Sequence, residues 1–208
     1  MNVRFPIILM MSLFIVSGLV RANAQSAEDI VKSTADQVIK KIAENRAGLD
    51  AHPEQLYDLI NDLVIPHFDF TSMSKWVLGN NWRQASDEQR AKFVNEFRTL
   101  LVRTYARALL EYSDQQINYL PVQSDPNSNL VVVKTEVQST GSPPVPIDYR
   151  MHVSNGGWKV VDVIVDGISL IATYRGSFAS EIRKNGIDAL INKLTERNET
   201  RVSAISAD

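Results

Sequence analysis

Two carboxylates stand where a proton could be moved. Asp162 is the single acid inside an apolar, β-branched run from Val160 to Val165, and Asp69 sits between two phenylalanines in Phe68-Asp69-Phe70. A carboxyl group among apolar side chains loses hydration, its pKa rises, and it becomes a competent general base. Other chemistry-bearing residues are sparse. The three histidines, His52, His67 and His152, are far apart and show no metal-ligand spacing, so no metal and no cofactor is expected. Cysteine is absent, which excludes thiol catalysis, disulfides and zinc-thiolate sites. Arg98, Arg103 and Arg107 could receive phosphate or an acidic surface, although a charge row opposite an apolar stripe is ordinarily the solvated face. Arg175, beside Tyr174, could hold Asp166 or an anionic group.

The elements that must position these groups change period half-way along the chain. Ser26 with Asp29 reads as an N-cap, and Val31, Ala35, Val38, Ile39 and Ile42 then recur at helical spacing until Gly48. A second helix is predicted from Pro53 to before Pro66. Asp69 can cap a short one from Phe70 to Leu78, which Gly79 closes. Trp76, Leu78 and Trp82 around that glycine read as a packing knot. Ser86 and Gln89 form a capping box for the longest helix, with a stripe of Phe93, Phe97, Leu100, Leu101, Tyr105, Leu109 and Tyr112.

Four strands follow: Gln116 to Val122, Leu130 to Gln138, Val145 to Val153 and Trp158 to Val165. They are separated by turn clusters at Asp125-Pro126-Asn127, Gly141-Ser142-Pro143-Pro144 and Asn155-Gly156-Gly157. The short connections imply an antiparallel meander. A three-residue Asn155-Gly156-Gly157 loop places Ser154 opposite Trp158, Met151 opposite Val161, Arg150 opposite Asp162 and Tyr149 opposite Val163. A two-residue turn would set Asp162 among the apolar residues opposite Tyr149, a costly burial. The three-residue loop and an Arg150–Asp162 ion pair are therefore expected. After Asp166-Gly167 helical spacing is read from Ile168 through Leu170, Ile171, Tyr174 and Phe178, ending near Leu194.

The N-terminus reads as an address. Arg4, the apolar run Phe5 to Val20 and Ala22-Asn23-Ala24 make a secretory signal peptide over residues 1–24, cut after Ala24. Loss of Arg4 and Arg21 leaves 20 basic against 24 acidic residues, a net charge of about −4 that argues against nucleic acid. Residues 25–195 suit one α+β domain, and residues 196–208 read as a disordered polar tail, with a formal sequon at Asn198-Glu199-Thr200. The expected architecture is a curved, four-stranded antiparallel sheet covered by N- and C-terminal helices, cone-like around an apolar cavity. Cones of the ketosteroid-isomerase type use one carboxylate in such a pocket, so an enzyme built on Asp162 or Asp69 is one reading. A periplasmic adaptor or chaperone is another.

The order of short motifs resembles the MlaC family, also called the toluene-tolerance Ttg2D family. The resemblance is carried by the leader, Phe68-Asp69-Phe70 with Met73, Leu78-Gly79-Asn80-Asn81-Trp82, and Gln89-Arg90 with Phe93 and Phe97. It continues through Tyr105, Ile147-Asp148-Tyr149, Trp158 to Val163, Asp166 to Leu170 and Tyr174-Arg175. It implies a periplasmic phospholipid carrier, not an enzyme, that passes lipid between an outer-membrane lipoprotein complex and an inner-membrane ABC transporter complex. Acyl tails would lie between sheet and helices. The candidate contacts are Ile117, Tyr119, Val131, Val133, Ile147, Tyr149, Met151, Val161 and Val163 from the sheet, with Phe97, Leu101, Tyr105, Ile171 and Tyr174 from helices.

Overall fold

Helix starts are set by local side-chain chemistry. In the computed structural model, which describes residues 25–111, 115–122, 129–138 and 141–205, Ser26 and Asp29 form a reciprocal box. Asp29 N donates to Ser26 Oγ at 3.0 Å, opening α1 (Ala27–Glu44). The leader over residues 1–24, Tyr112 and the Asp125-Pro126-Asn127 turn lie outside the described residues. Helix α1 stops at Glu44 rather than near Gly48, because Asn45 leaves helical geometry; Gly48 belongs to α2 (Arg46–Ala51). Pro53, whose missing N–H costs nothing in a first turn, begins α3 (Pro53–Leu63). After a 3-10 turn at Ile65–His67, Asp69 accepts from Ser72 N at 2.9 Å and opens α4 (Phe70–Leu78). Gly79 connects it to α5 (Asn80–Gln84). Gln89 N donates to Ser86 Oγ at 3.1 Å and Ser86 N to Gln89 Oε1 at 2.9 Å, which opens α6 (Asp87–Glu111).

Among the described residues the sheet has five strands, not four: β1 (Gln116–Tyr119), β2 (Leu130–Gln138), β3 (Val145–Ser154), β4 (Gly157–Val165) and β5 (Ile168–Ser169). They form one curved antiparallel meander in chain order. The strand missed in the sequence is β5. Asp166 and Gly167, with φ of 50° and 77°, turn the chain back so that Ile168 pairs with Val165 and Ser169 with Ile164. Ile168 is thus a strand residue, and Asp-Gly is a hairpin turn rather than a strand-to-helix junction.

The β3–β4 hairpin also differs. Asn155 and Gly156, with φ of 50° and 79°, make a two-residue turn, so Ser154 pairs with Gly157 and Met151 with Val160 instead of Val161. The Arg150–Asp162 and Tyr149–Val163 pairs nevertheless form. The register shifts between Arg150 and Met151, and Val161 is the extra residue of a β-bulge. The chain thus takes the favoured tight turn and keeps Asp162 off the apolar face.

Beyond β5, Ser169 Oγ accepts from Ala172 N at 3.0 Å and caps α7 (Leu170–Asn185); Gly186 leads into α8 (Ile187–Ile205). The last helix therefore passes through the expected tail. Asn198, only 4% exposed, anchors it by donating to Glu96 O at 3.0 Å and Glu96 Oε2 at 2.7 Å, which leaves its amide buried and not available as a glycan acceptor.

Among the described residues three apolar clusters form the interior. One joins Met73, Val77, Phe93, Phe97, Leu100, Val161, Ile171, Phe178 and Leu190, mainly between α4, α6, α7 and α8. A second lies between α1 and the sheet. A third packs Ile42, Leu56 and Ile60 against Ala106 and Leu110. That third contact bends the expected α6 stripe: Tyr105 and Leu109 are 37% and 38% exposed, while Ala106 and Leu110 turn inward.

Gly79 has φ +55° and ψ −123°, and a Cβ there would stand 3.1 Å from Arg175 Nη2. Gly79→Ala should lower the free energy of unfolding by about 1–3 kcal/mol in urea titrations. Unchanged stability would mean that the α4–α5 corner relaxes freely.

Candidate functional site

The register assembles a continuous apolar face. Side chains of directly paired residues share one side of a sheet. Tyr119, Thr135, Ile147 and Val165 thus form one row, Val133, Tyr149 and Val163 the next, and Val131, Met151 and Val160 a third. Ile117, paired with Val137, extends it. At one end Val131, Val133, Met151 and Val160 are buried beneath Ala27, Ile30 and Val31 of α1. Towards the other end Ile117, Tyr119, Ile147, Tyr149, Val163 and Val165 are only half-buried. Thr135, Val137, Val160 and Val165 were missed as members. Strict alternation points directly to Thr135, Val137 and Val165, and to Val160 once the bulge is known.

The remaining candidates lie elsewhere. Val161 is turned by the bulge into the helical core with Phe97, Leu101 and Ile171, and Tyr174 packs against the same cluster. There Phe97 is enclosed by rings, its centroid 5.7 Å from Phe93, 5.9 Å from Phe178 and 5.4 Å from Tyr174. Tyr105 touches Tyr174 through its hydroxyl, and burial together with that neighbour pushes its phenol up to about 12. The sequence-derived set is thus divided between two clusters. Phe68 packs against both, and a parallel bridge ties it to Val160.

The phenols on the sheet are the polar points of its apolar face. Burial, with Asp36 and Tyr149 nearby, pushes Tyr119 up to about 12, and its buried hydroxyl has no hydrogen-bond partner among the described residues. Burial also pushes Tyr149 up, against the opposing hydrogen bond with Thr135.

Neither carboxylate is free for general-base work. Asp162 is fully buried. Its Oδ2 accepts from Ser169 Oγ at 2.7 Å and from Arg150 Nη1 at 3.3 Å, and its Oδ1 from Ile171 N at 3.2 Å. Asp69 accepts from Ser72 N and Ser72 Oγ at 2.9 Å each and contacts His152 Nε2 at 2.9 Å. Burial alone would raise the Asp69 carboxyl, but the Ser72 and His152 contacts outweigh it and hold the group below its ordinary value. A base working near neutrality needs the opposite shift. Burial and the nearby Lys159 ammonium lower His67. Among the described residues no three His, Asp or Glu side chains gather as a metal site, and no helix is long and apolar enough to cross a membrane.

A cavity of about 300 Å³ opens between α3 and α6, lined by Tyr57, Asn61, Asn95, Arg98, Thr99, Val102 and Arg103. None of the apolar candidates lines it. Of the three helix arginines, Arg107 is exposed and outside it. Arg175 lies over Gly79. The helix-end knot exists: Leu78 is buried, and Lys75 and Arg90 stand 5.8 Å and 5.4 Å from the Trp82 ring.

Residues 32–196 match the family described as MlaC protein. This chain belongs to the MlaC family. It is 30% identical over 171 residues to the toluene tolerance protein ttg2D of Pseudomonas putida, covering 82% of this chain and 79% of that protein. The intermembrane phospholipid transport system binding protein MlaC of Haemophilus influenzae is 26% identical over 170 residues, covering 80% and 79%. The structure of a phospholipid-binding protein from Ralstonia solanacearum, in complex with a phospholipid, aligns with a TM-score of 0.78 at 32% identity, over 85% of this chain and 99% of that one.

The two carboxylates of this MlaC-family chain yield separate predictions. Asp162→Asn should lower unfolding free energy by about 1–3 kcal/mol, since the partners of the carboxylate would be left poorly satisfied. Equal stability in urea would show that Arg150, Ser169 and Ile171 find other acceptors. For Asp69, the folded pKa lies below the ordinary 3.8, so its contribution is complete above that value and is lost as pH falls through the depressed folded pKa. Unfolding curves collected down the acid limb should be shallower for Asp69→Asn than for the wild type; parallel limbs would contradict the assignment.

Proposed function

We infer that this protein is a periplasmic phospholipid carrier that passes lipid between an outer-membrane lipoprotein complex and an inner-membrane ABC transporter complex. The observation that carries the reading is the likeness to the phospholipid-loaded Ralstonia protein over nearly that protein's whole length. The physics of the cargo explains why a carrier is needed. At about 0.8 kcal/mol per methylene, two tails of roughly sixteen carbons represent on the order of 25 kcal/mol of gross transfer free energy, so free lipid in water is negligible.

The apolar sheet face is the wall against which tails would lie. Its half-buried end, from Ile117 and Tyr119 through Ile147 and Tyr149 to Val163 and Val165, offers hydrocarbon contact without unpaired charge. The unpartnered Tyr119 hydroxyl would suit an ester carbonyl. Two tails require a volume towards the upper part of the roughly 300–1,000 Å³ range of ligand pockets, so loading requires α1, the helix packed on this face, to move off it. An enzymatic role is disfavoured because both oxygens of each candidate carboxylate are engaged by structural hydrogen bonds. The leader over residues 1–24 would deliver the chain to the periplasm.

Mature protein purified without detergent and extracted with organic solvent should yield diacyl phospholipid in near-stoichiometric amount by mass spectrometry. Protein that emerges empty would favour the adaptor reading. Tyr149→Glu should abolish the copurified lipid while the far-ultraviolet circular dichroism stays native; full occupancy in that variant would remove Tyr149 from the lipid site.

A further inference from the structure

We propose that the cleft between α3 and α6 is a separate, polar binding site that takes a phosphate group. Asn95, Arg98, Thr99, Val102 and Arg103 follow the i, i+3, i+4, i+7, i+8 spacing of one helix face, and Tyr57 and Asn61, one turn apart on α3, complete the lining. Two guanidinium groups, two carboxamides, a hydroxyl and a phenol therefore share a cavity of about 300 Å³ that no carboxylate lines.

The hydrogen-bonding state of the cleft is incomplete. Arg98 Nη2 donates to Asn61 Oδ1 at 2.7 Å, which fixes the Arg98 fork at the cleft wall. Arg103 Nη1 is buried and has no acceptor among the described residues. A guanidinium stays charged at any physiological pH, and a buried charged donor without an acceptor is costly, so the group that completes this site is an anion. Its shape follows from the lining. Donor-bearing side chains of two helices, the Asn61 amide and Tyr57 phenol of α3 and the two guanidinium groups of α6, line the one cleft, enough to meet the several oxygens of a phosphate, and arginine forks pair with phosphate oxygens through parallel N–H bonds. The volume lies at the lower end of small-molecule sites and admits a phosphate with a few attached atoms, not an acyl chain. This site goes beyond the carrier reading, because no residue of the cleft belongs to the apolar face and the tails do not require it.

Two sources supply the same chemistry: free inorganic phosphate, and the phosphodiester head group of a membrane lipid. The test is a titration of the full mature protein, labelled with nitrogen-15, with sodium phosphate and separately with glycerophosphoethanolamine, both at constant ionic strength against a chloride control. Saturable shifts of the Arg98 and Arg103 Nε–H and Asn61 side-chain signals are expected. Arg98→Gln and Arg103→Lys should each weaken binding by about tenfold or more, Arg103→Lys because it keeps the charge and loses the fork. A tighter diester identifies the lipid head group as the source; equal or tighter inorganic phosphate identifies the free ion. No saturation by either ligand at concentrations on the order of tens of millimolar, far above useful affinity, would overturn the proposal. So would identical shifts with chloride, or wild-type affinity in both variants. If Arg98→Gln does not fold, the wild-type titration and Arg103→Lys still decide.

Discussion

Asp162 brings a negative charge into the interior with almost no exposed side-chain surface, and such a charge persists only where hydrogen bonds replace the water it has lost. Three elements supply them. Arg150 reaches across from β3, Ser169 turns its hydroxyl inward at the end of β5, and Ile171 presents a first-turn N–H of α7. Ser169 does double duty, since the oxygen that donates to Asp162 also caps Ala172 N. The end of the sheet and the start of the C-terminal helices are therefore fixed by one side chain. The bulge at Val161 belongs to the same constraint. With a two-residue turn and no bulge, Asp162 would face Tyr149 on the apolar side.

That constraint divides the sheet into two unlike faces. Val160 and Val161 are adjacent in sequence, yet one packs beneath α1 and the other into the cluster of Phe93, Phe97 and Phe178. The helical side is dense with ring contacts and can give little without losing dispersion energy. The opposite face is tightly covered only where α1 crosses it, and its other end keeps half-buried side chains. The asymmetry suits the proposed carrier: one side holds the strands in register, and the other has the looser packing against which hydrocarbon would lie.

How much of this was legible in the sequence depends on how local each cause is. The caps at Ser26, Asp69 and Ser86 rest on interactions within three residues, and the sequence predicts all three. The Arg150–Asp162 pair was legible too, because misplacing a charge is expensive enough to decide register. The route to that pair was not. The cost of burying Asp162 excludes an unbulged two-residue turn, but it cannot distinguish a longer loop from a tight turn with a bulge. The Asp166-Gly167 hairpin carried a clear turn signal, yet two strand residues leave no alternation to read. Long-range contacts explain the other differences: Glu96 extends α8 by holding Asn198, and the α1–α3 packing turns Ala106 and Leu110 inward in place of Tyr105 and Leu109. The α3–α6 cleft was visible only as half of a site, an arginine row whose amide partner sits thirty-seven residues upstream.

The same constraint bears on the choice between chemistry and carriage. An isomerase-like cone works because one carboxylate in its apolar pocket is left without structural partners and can take a proton from the substrate. Among the described residues Asp162 is the one fully buried charged side chain, and its oxygens are engaged on the far side of the sheet from Tyr149. The apolar face itself carries phenols whose pKa values are raised by burial, up to about 12 for Tyr119. These groups stay neutral and hold their protons across the physiological range. A face that offers hydrocarbon contact and a few uncharged hydroxyls suits the lipid tail of the proposed carrier, while the two candidate carboxylates are held by structural partners.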